Sequence, residues 1–151
     1  MKDVSADTRA VWSRRVIGED LIMNKGHKRV GILGFSFKPG TDDLRESPLI
    51  EVIERLIGKG YDLRIYDKNV KIASLMGANR DFLLNRIPHI SRLMADGIDR
   101  VLEHAQTIVI GNKDPEFKQV SARMRDDQVM VDFVRIDNRV SEEGKYDGIC
   151  W

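Results

Sequence analysis

Four short apolar runs, separated by segments that each carry a single apolar stripe, leave this chain very few ways to fold. The runs are "RVGILGF" (29–35), "YDLRIYD" (61–67), "TIVIGN" (107–112) and "QVMVDFV" (128–134), each bounded by charge or glycine. Rich in β-branched and aromatic residues, they read as strands, the first and third buried and the second alternating. After the first, "SPLIEVIERLIGKG" sets Leu49, Val52, Ile53 and Leu56 on one helical face. Ser47 is its N-cap, Pro48 its first helical residue, and Gly58 or Gly60 its stop. Ile50 stands where a capping box would need Glu or Gln, so the box is incomplete.

Further helices are expected over 8–24, from about Val70 to Met76 with Gly77 as its end, over 98–105, and over 115–124 behind Pro115. Residues 78–96 are polar with no firm period and read as a helix plus a short strand at "HIS". From Arg135 the chain is polar and loose until "YDGICW". Strand alternating with helix predicts an α/β protein with an open doubly wound (Rossmann-like) parallel sheet and helices on both faces, because right-handed crossovers lay each helix across the sheet. Such sheets take ligands at the carboxyl ends of their strands.

With 151 residues and 42% hydrophobic composition the chain is the size of one domain with a full core. Its 25 Lys and Arg against 24 Asp and Glu give a net charge of +1, so no global field draws in nucleic acid or an anionic membrane. Any anion site is local. The lone cysteine, Cys150, forms no internal disulfide, and no Cys/His spacing suits a metal. A reducing cytoplasm fits, and no apolar run is long enough to span a membrane.

The segment "FSFKPGTDDLRESP" (35–48) therefore carries the functional reading. It leaves the first strand and enters a helix whose free N–H groups favour a phosphate. Lys38 adds a swinging point charge and Arg45 a fork that binds two oxygens at fixed geometry. Asp42 and Asp43 hold the loop's shape through Arg45 or loop N–H groups, and Thr41 adds a local turn bond. The competing reading is a solvated surface loop, since "GILG" lacks a full dinucleotide fingerprint.

"VGILGFSFKPGTDDLRESP" resembles the signature that opens the C-terminal nucleotide-sugar-binding domain of the UDP-glucose and GDP-mannose 6-dehydrogenase family. The pattern falls on Gly34, Phe37, Lys38, Thr41, Asp42, Asp43, Arg45, Ser47 and Pro48. "IYD", "TIVIGN", "EF" and "VMVDFV" follow in the family's order, and "GN" and the ending "GICW" resemble the GDP-mannose branch. The resemblance implies an enzyme with an N-terminal NAD domain, a central helical dimerisation segment and this closing domain. Such enzymes oxidise the C6 alcohol of the sugar to a carboxylate in two hydride transfers, with two NAD and a cysteine thioester. It implies that Phe37 and Lys38 contact the substrate nucleotide and that Arg45 reaches NAD.

On this reading residues 1–26 are a remnant of the dimerisation segment and 27–151 the nucleotide-sugar-binding domain. The partners are GDP-mannose, the rest of the parent chain and a second subunit, and the product feeds an acidic polysaccharide such as alginate. Nothing here matches the family's Gly-Gly-x-Cys stretch or its NAD fingerprint, so no catalytic residue is assigned and the piece alone is expected to be inactive. Many UDP-sugar relatives place an arginine where this chain has Val134, and the family often has proline where this chain has Lys68. Two other functions stay open: the same domain of a UDP-sugar 6-dehydrogenase, or a stand-alone nucleotide-binding or oligomerisation module.

Asp67, ending the second strand, has two readings, a ribose ligand or a strand-end cap. Asn112 and Lys113, after the third strand, touch the nucleotide or form a turn. His27, His89 and His104 are scattered and read as surface or satisfied histidines. Trp12 and Trp151 stack on a base or pack.

Overall fold

Five parallel strands form one sheet: β1 (Arg29–Leu33), β2 (Asp62–Tyr66), β3 (Thr107–Ile110), β4 (Val129–Asp132) and β5 (Tyr146–Gly148), in the order β2-β1-β3-β4-β5. The computed structural model describes residues 17–36, 47–70, 77–136 and 146–148. The helices are α1 (residues 17–24), α2 (Pro48–Gly58), α3 (Gly77–Arg86), α4 (Ile90–Leu93), α5 (Ile98–His104) and α6 (Val120–Arg123), with a 3-10 turn over Pro115–Gln119.

The alternation of side chains along each strand gives the sheet two apolar faces. Val30, Ile32, Leu63, Ile65, Val109 and Val131 pack under α2, α3 and α4 with Ile22 of α1. Leu33, Ile108, Ile110 and Met130 face α5, Phe117 and Val120. Both faces are covered, as an all-parallel sheet requires. α2 forms where its pattern says it should: the Ser47 hydroxyl accepts from Leu49 N at 3.3 Å, Pro48 follows, and Leu49, Ile50, Val52, Ile53 and Leu56 are buried. Gly60, at φ +85°, takes the left-handed turn after it.

Several expectations are corrected. "HIS" is not a strand. His89 precedes the single turn of α4, and the strand-like contact falls later, where Met94 bridges Ile65 and Ala95 N donates to the Ile65 carbonyl at 2.7 Å. That contact shields the open edge of β2, a standing hazard for any sheet. Gly77 opens α3 instead of ending a helix, Val70 is not helical, and 71–76 lie outside the described residues. Residues 115–119 form a 3-10 turn, and α6 is one turn long, because Asp114 caps Glu116 N and fixes a tight start. A fifth strand, β5, lies in the tail segment read as loose. Only 17–24 of the helix read over 8–24 is described. α1 packs on the domain: Ile22 is fully buried, Lys25 pairs with Asp147 of β5, and Arg55 lies 3.6 Å from Glu19.

Candidate functional site at the β1–β3 switch point

From β1 the chain crosses to β2 on one side and then returns to β3 on the other. The carboxyl ends of β1 and β3 therefore form the topological switch point, the place where open α/β sheets take ligands. Here the two strands press together through glycines. A Cβ on Gly111 would sit 1.9 Å from the Gly34 carbonyl oxygen, and Gly34 itself is at φ +82°. Neither position admits a side chain without strain.

Beneath this contact runs a buried polar network. Asp67, at the end of β2 and 3% exposed, turns Oδ2 toward β1, where it accepts from Phe35 N (3.1 Å), Ser36 N (3.1 Å) and Ser36 Oγ (2.9 Å). The same oxygen accepts from Asn112 Nδ2 at 3.2 Å, and Oδ1 accepts from Asn69 N at 3.0 Å. Asn112, 2% exposed, also donates to Ser36 Oγ at 3.1 Å and accepts from Asp114 N at 3.1 Å through Oδ1. Its side chain is thus committed on both ends. Asp67 acts as a strand-end cap for the start of the β1 loop, and Asn112 ties that start to β3 and to the Asp114 turn.

Asp114 caps the 3-10 turn, receives Asn69 Nδ2 at 3.4 Å, and lies 3.5 Å from Lys68 Nζ. Lys68 also lies 3.6 Å from Glu116. Tyr66, at the end of β2, has its hydroxyl pKa pushed up to about 12, first by burial and then by the charge of Glu116 and a hydrogen bond to it.

A third carboxylate closes the row. Asp132, ending β4 and fully buried, accepts from Val134 N (3.0 Å) through Oδ1, and from Ile136 N (2.8 Å) and the Tyr146 hydroxyl (2.6 Å) through Oδ2. It forces the turn after β4, in which Arg135 adopts φ +58°.

Phe37, Lys38, Thr41, Asp42, Asp43 and Arg45 lie outside the described residues. Their flanks are fixed: Ser36 by Asp67 at the carboxyl end of β1, and Ser47 as the cap of α2. Sequence reasoning missed Asp114, Asp132, Tyr146 and Ser36. Asp114 had a legible signal, an Asp-Pro step, which marks an N-cap before a first helical proline. His27 Nδ1 meets Thr107 Oγ1 at 3.1 Å and His104 Nε2 meets the Asp62 carbonyl at 3.1 Å, both as satisfied histidines, while His89 is exposed. Among the described residues no cluster of His, Cys, Asp and Glu is arranged to hold a metal, and no helix is long and apolar enough to cross a membrane.

Strand order and helix placement together define an open, doubly wound α/β domain with its topological switch point between β1 and β3. Residues 31–139 match the UDP binding domain of the UDP-glucose/GDP-mannose dehydrogenase family, and the chain belongs to that family. It is 43% identical over 133 residues to a GDP-mannose 6-dehydrogenase from Pseudomonas savastanoi pv. phaseolicola, covering 87% of this chain and 30% of that protein. A UDP-glucose 6-dehydrogenase from Rickettsia felis is 29% identical over 94 residues, 62% of this chain and 19% of that one. Among solved structures, a ternary complex of GDP-mannose dehydrogenase from Pseudomonas aeruginosa matches with a TM-score of 0.80 and 42% identity over 91% of this chain and 31% of that chain. The chain spans about 30% of the length of the curated GDP-mannose relatives it matches.

Proposed function

We propose that this chain is the part of an NAD-dependent GDP-mannose 6-dehydrogenase that binds the nucleotide of the substrate. The observation that carries the reading is the close glycine contact between the ends of β1 and β3 at the switch point, with Lys38 and Arg45 in the stretch of sequence between that contact and the N-terminus of α2. Helix N–H groups and the Lys38 ammonium suit the diphosphate of a sugar nucleotide. Phe37 flanks Lys38 against the nucleotide, and Arg45 reaches NAD held by another part of the enzyme. Thr41, Asp42 and Asp43 hold the loop between them.

The choice of GDP-mannose over a UDP-sugar rests on 43% identity to GDP-mannose 6-dehydrogenases over 87% of the chain, against 29% over 62% for the UDP-glucose enzyme. The parent enzyme converts GDP-mannose to GDP-mannuronate in two hydride transfers, for an acidic polysaccharide such as alginate, in the cytoplasm and as a homo-oligomer. Asn112 serves the nucleotide through the loop it anchors.

Calorimetric titration of GDP and UDP into the 151-residue chain tests this. GDP is expected to bind more tightly, and Lys38→Ala to weaken it by about 1–3 kcal/mol. Equal or reversed preference would refute the GDP assignment, and an unchanged affinity in the variant would return the loop to a solvated surface.

A further inference from the structure

The ends of β1, β3 and β4 stand in register: Leu33 is opposite Ile110, and Ile110 is opposite Asp132. Gly111 N donates to the Leu33 carbonyl and Phe133 N to the Ile110 carbonyl, so the ladder runs one residue past the strands. Ser36, Lys113 and Arg135 each lie three residues beyond those partners. Neighbouring strands are about 4.8 Å apart, so Lys113 and Arg135 fall on adjacent loops of the same edge, on the β3–β4 side of the switch point.

Both side chains are exposed, and neither has a hydrogen bond or ion pair to a described residue. Lys68, the other described cation on this edge near the network, is held by Asp114 and Glu116. Arg135 stands out further because it is the only described non-glycine residue at positive φ. Such a backbone favours glycine, and strain of this kind is kept only where surrounding structure imposes it. Here Asp132 imposes it, bonding Val134 N and Ile136 N on either side of Arg135 and taking the Tyr146 hydroxyl from β5. A buried carboxylate with three donors thus presents a forked cation at a position where glycine would relax the turn.

We propose that Lys113 and Arg135 form a two-cation site for the phosphates of a nucleoside diphosphate, on the β3–β4 side of the switch point. The proposal rests on the nucleotide-binding reading above. Electrostatics give it a reason. Asp67, Asp114 and Asp132 line the base of this edge, and a diphosphate approaching them needs cations on both flanks to offset the repulsion. The arginine fork engages two phosphate oxygens and the lysine a third.

The test titrates GDP into the parent chain and into Arg135→Gly, Lys113→Ala and Lys38→Ala, with melting temperatures measured alongside. Arg135→Gly removes the cation and suits the left-handed backbone. It should therefore weaken GDP binding by about tenfold while melting no lower than the parent, and Lys113→Ala should weaken binding similarly. Inorganic pyrophosphate should compete with GDP in the parent and less well in either flank variant. If Lys38→Ala weakens GDP binding while either flank variant stays within twofold of the parent, the paired site is refuted and the nucleotide reading stands. If the parent binds no nucleoside diphosphate, that reading fails and the pair falls with it.

Discussion

Asp67→Asn separates scaffold from ligand contact at the switch point. The exchange keeps the shape of the side chain but leaves one acceptor oxygen in place of two. In the native chain Oδ2 receives four donors and Oδ1 a fifth, all at 2.9–3.2 Å, in a site 3% exposed. An asparagine would turn its oxygen toward the four and leave its NH2 facing Asn69 N, donor against donor. The unpaired donor costs about 1–2 kcal/mol, and weakening four bonds from charge-assisted to neutral costs about 0.5 kcal/mol each. Relief from burying a charge returns about 1 kcal/mol, for a net loss of about 2–3 kcal/mol. At about 2–4 °C per kcal/mol for a chain of this size, the melting temperature should fall by roughly 4–12 °C. Circular dichroism melts, with urea titrations at constant m-value, measure this directly. A variant that melts within about 2 °C of the parent yet loses nucleotide affinity would mean that Asp67 serves a ligand and that the network carries little stability.

Gly111→Ala puts a Cβ 1.9 Å from the Gly34 carbonyl and forces the strand ends apart, so a loss of about 3 kcal/mol, with loss of GDP binding, is expected in denaturation and titration. Gly18 of α1 lies under the Phe133 ring, where a Cβ would come within 1.9 Å of Cζ; alanine there should destabilise by about 1–2 kcal/mol, the overpacking outweighing its helix propensity. In a Phe133→Leu background the sign should reverse, and additive effects in that double-mutant cycle would reject the contact. Tyr66, its hydroxyl raised to about 12 by burial and Glu116, stays protonated in the fold above pH 10 while the unfolded chain ionises. Its contribution is therefore whole below pH 10 and lost as pH rises toward 12. Discounted for its partial exposure, this is about 1 kcal/mol, and Tyr66→Phe should show a correspondingly shallower loss of stability over that range.

What could be read from the sequence was whatever is encoded locally. β1, β3 and β4 announce themselves because a strand buried on both faces is a continuous apolar run, β2 because its apolar residues alternate, and α2 because its stripe, cap and proline all agree. β5 does not, since Tyr146–Gly148 is three residues long and joins the sheet through pairing with β4, which no local pattern encodes. "HIS" misleads for the opposite reason, its isoleucine being buried by one helical turn instead of a strand. At the site, the signature loop is visible as a string of residues, whereas the Asp67–Asn112–Ser36 network spans 76 positions and exists only once the sheet is folded.

That network explains why acidic residues underlie an edge read here as anion-binding. Asp67, Asp114 and Asp132 stand at or just beyond the ends of β2, β3 and β4, and each takes backbone N–H groups of a loop at that edge. Loops with so few apolar anchors would otherwise be mobile. A buried carboxylate can order such a loop because it accepts several N–H groups at once, and those amide dipoles face its charge directly. The carboxylates are therefore spent inward. Lys113 and Arg135, which the same loops carry, remain unpaired among the described residues and exposed. The edge sorts its charges by depth, acids below to set the shape and cations exposed above them. Reversing that order, with cations buried and acids exposed, would leave N–H groups without acceptors and an edge that repels phosphate.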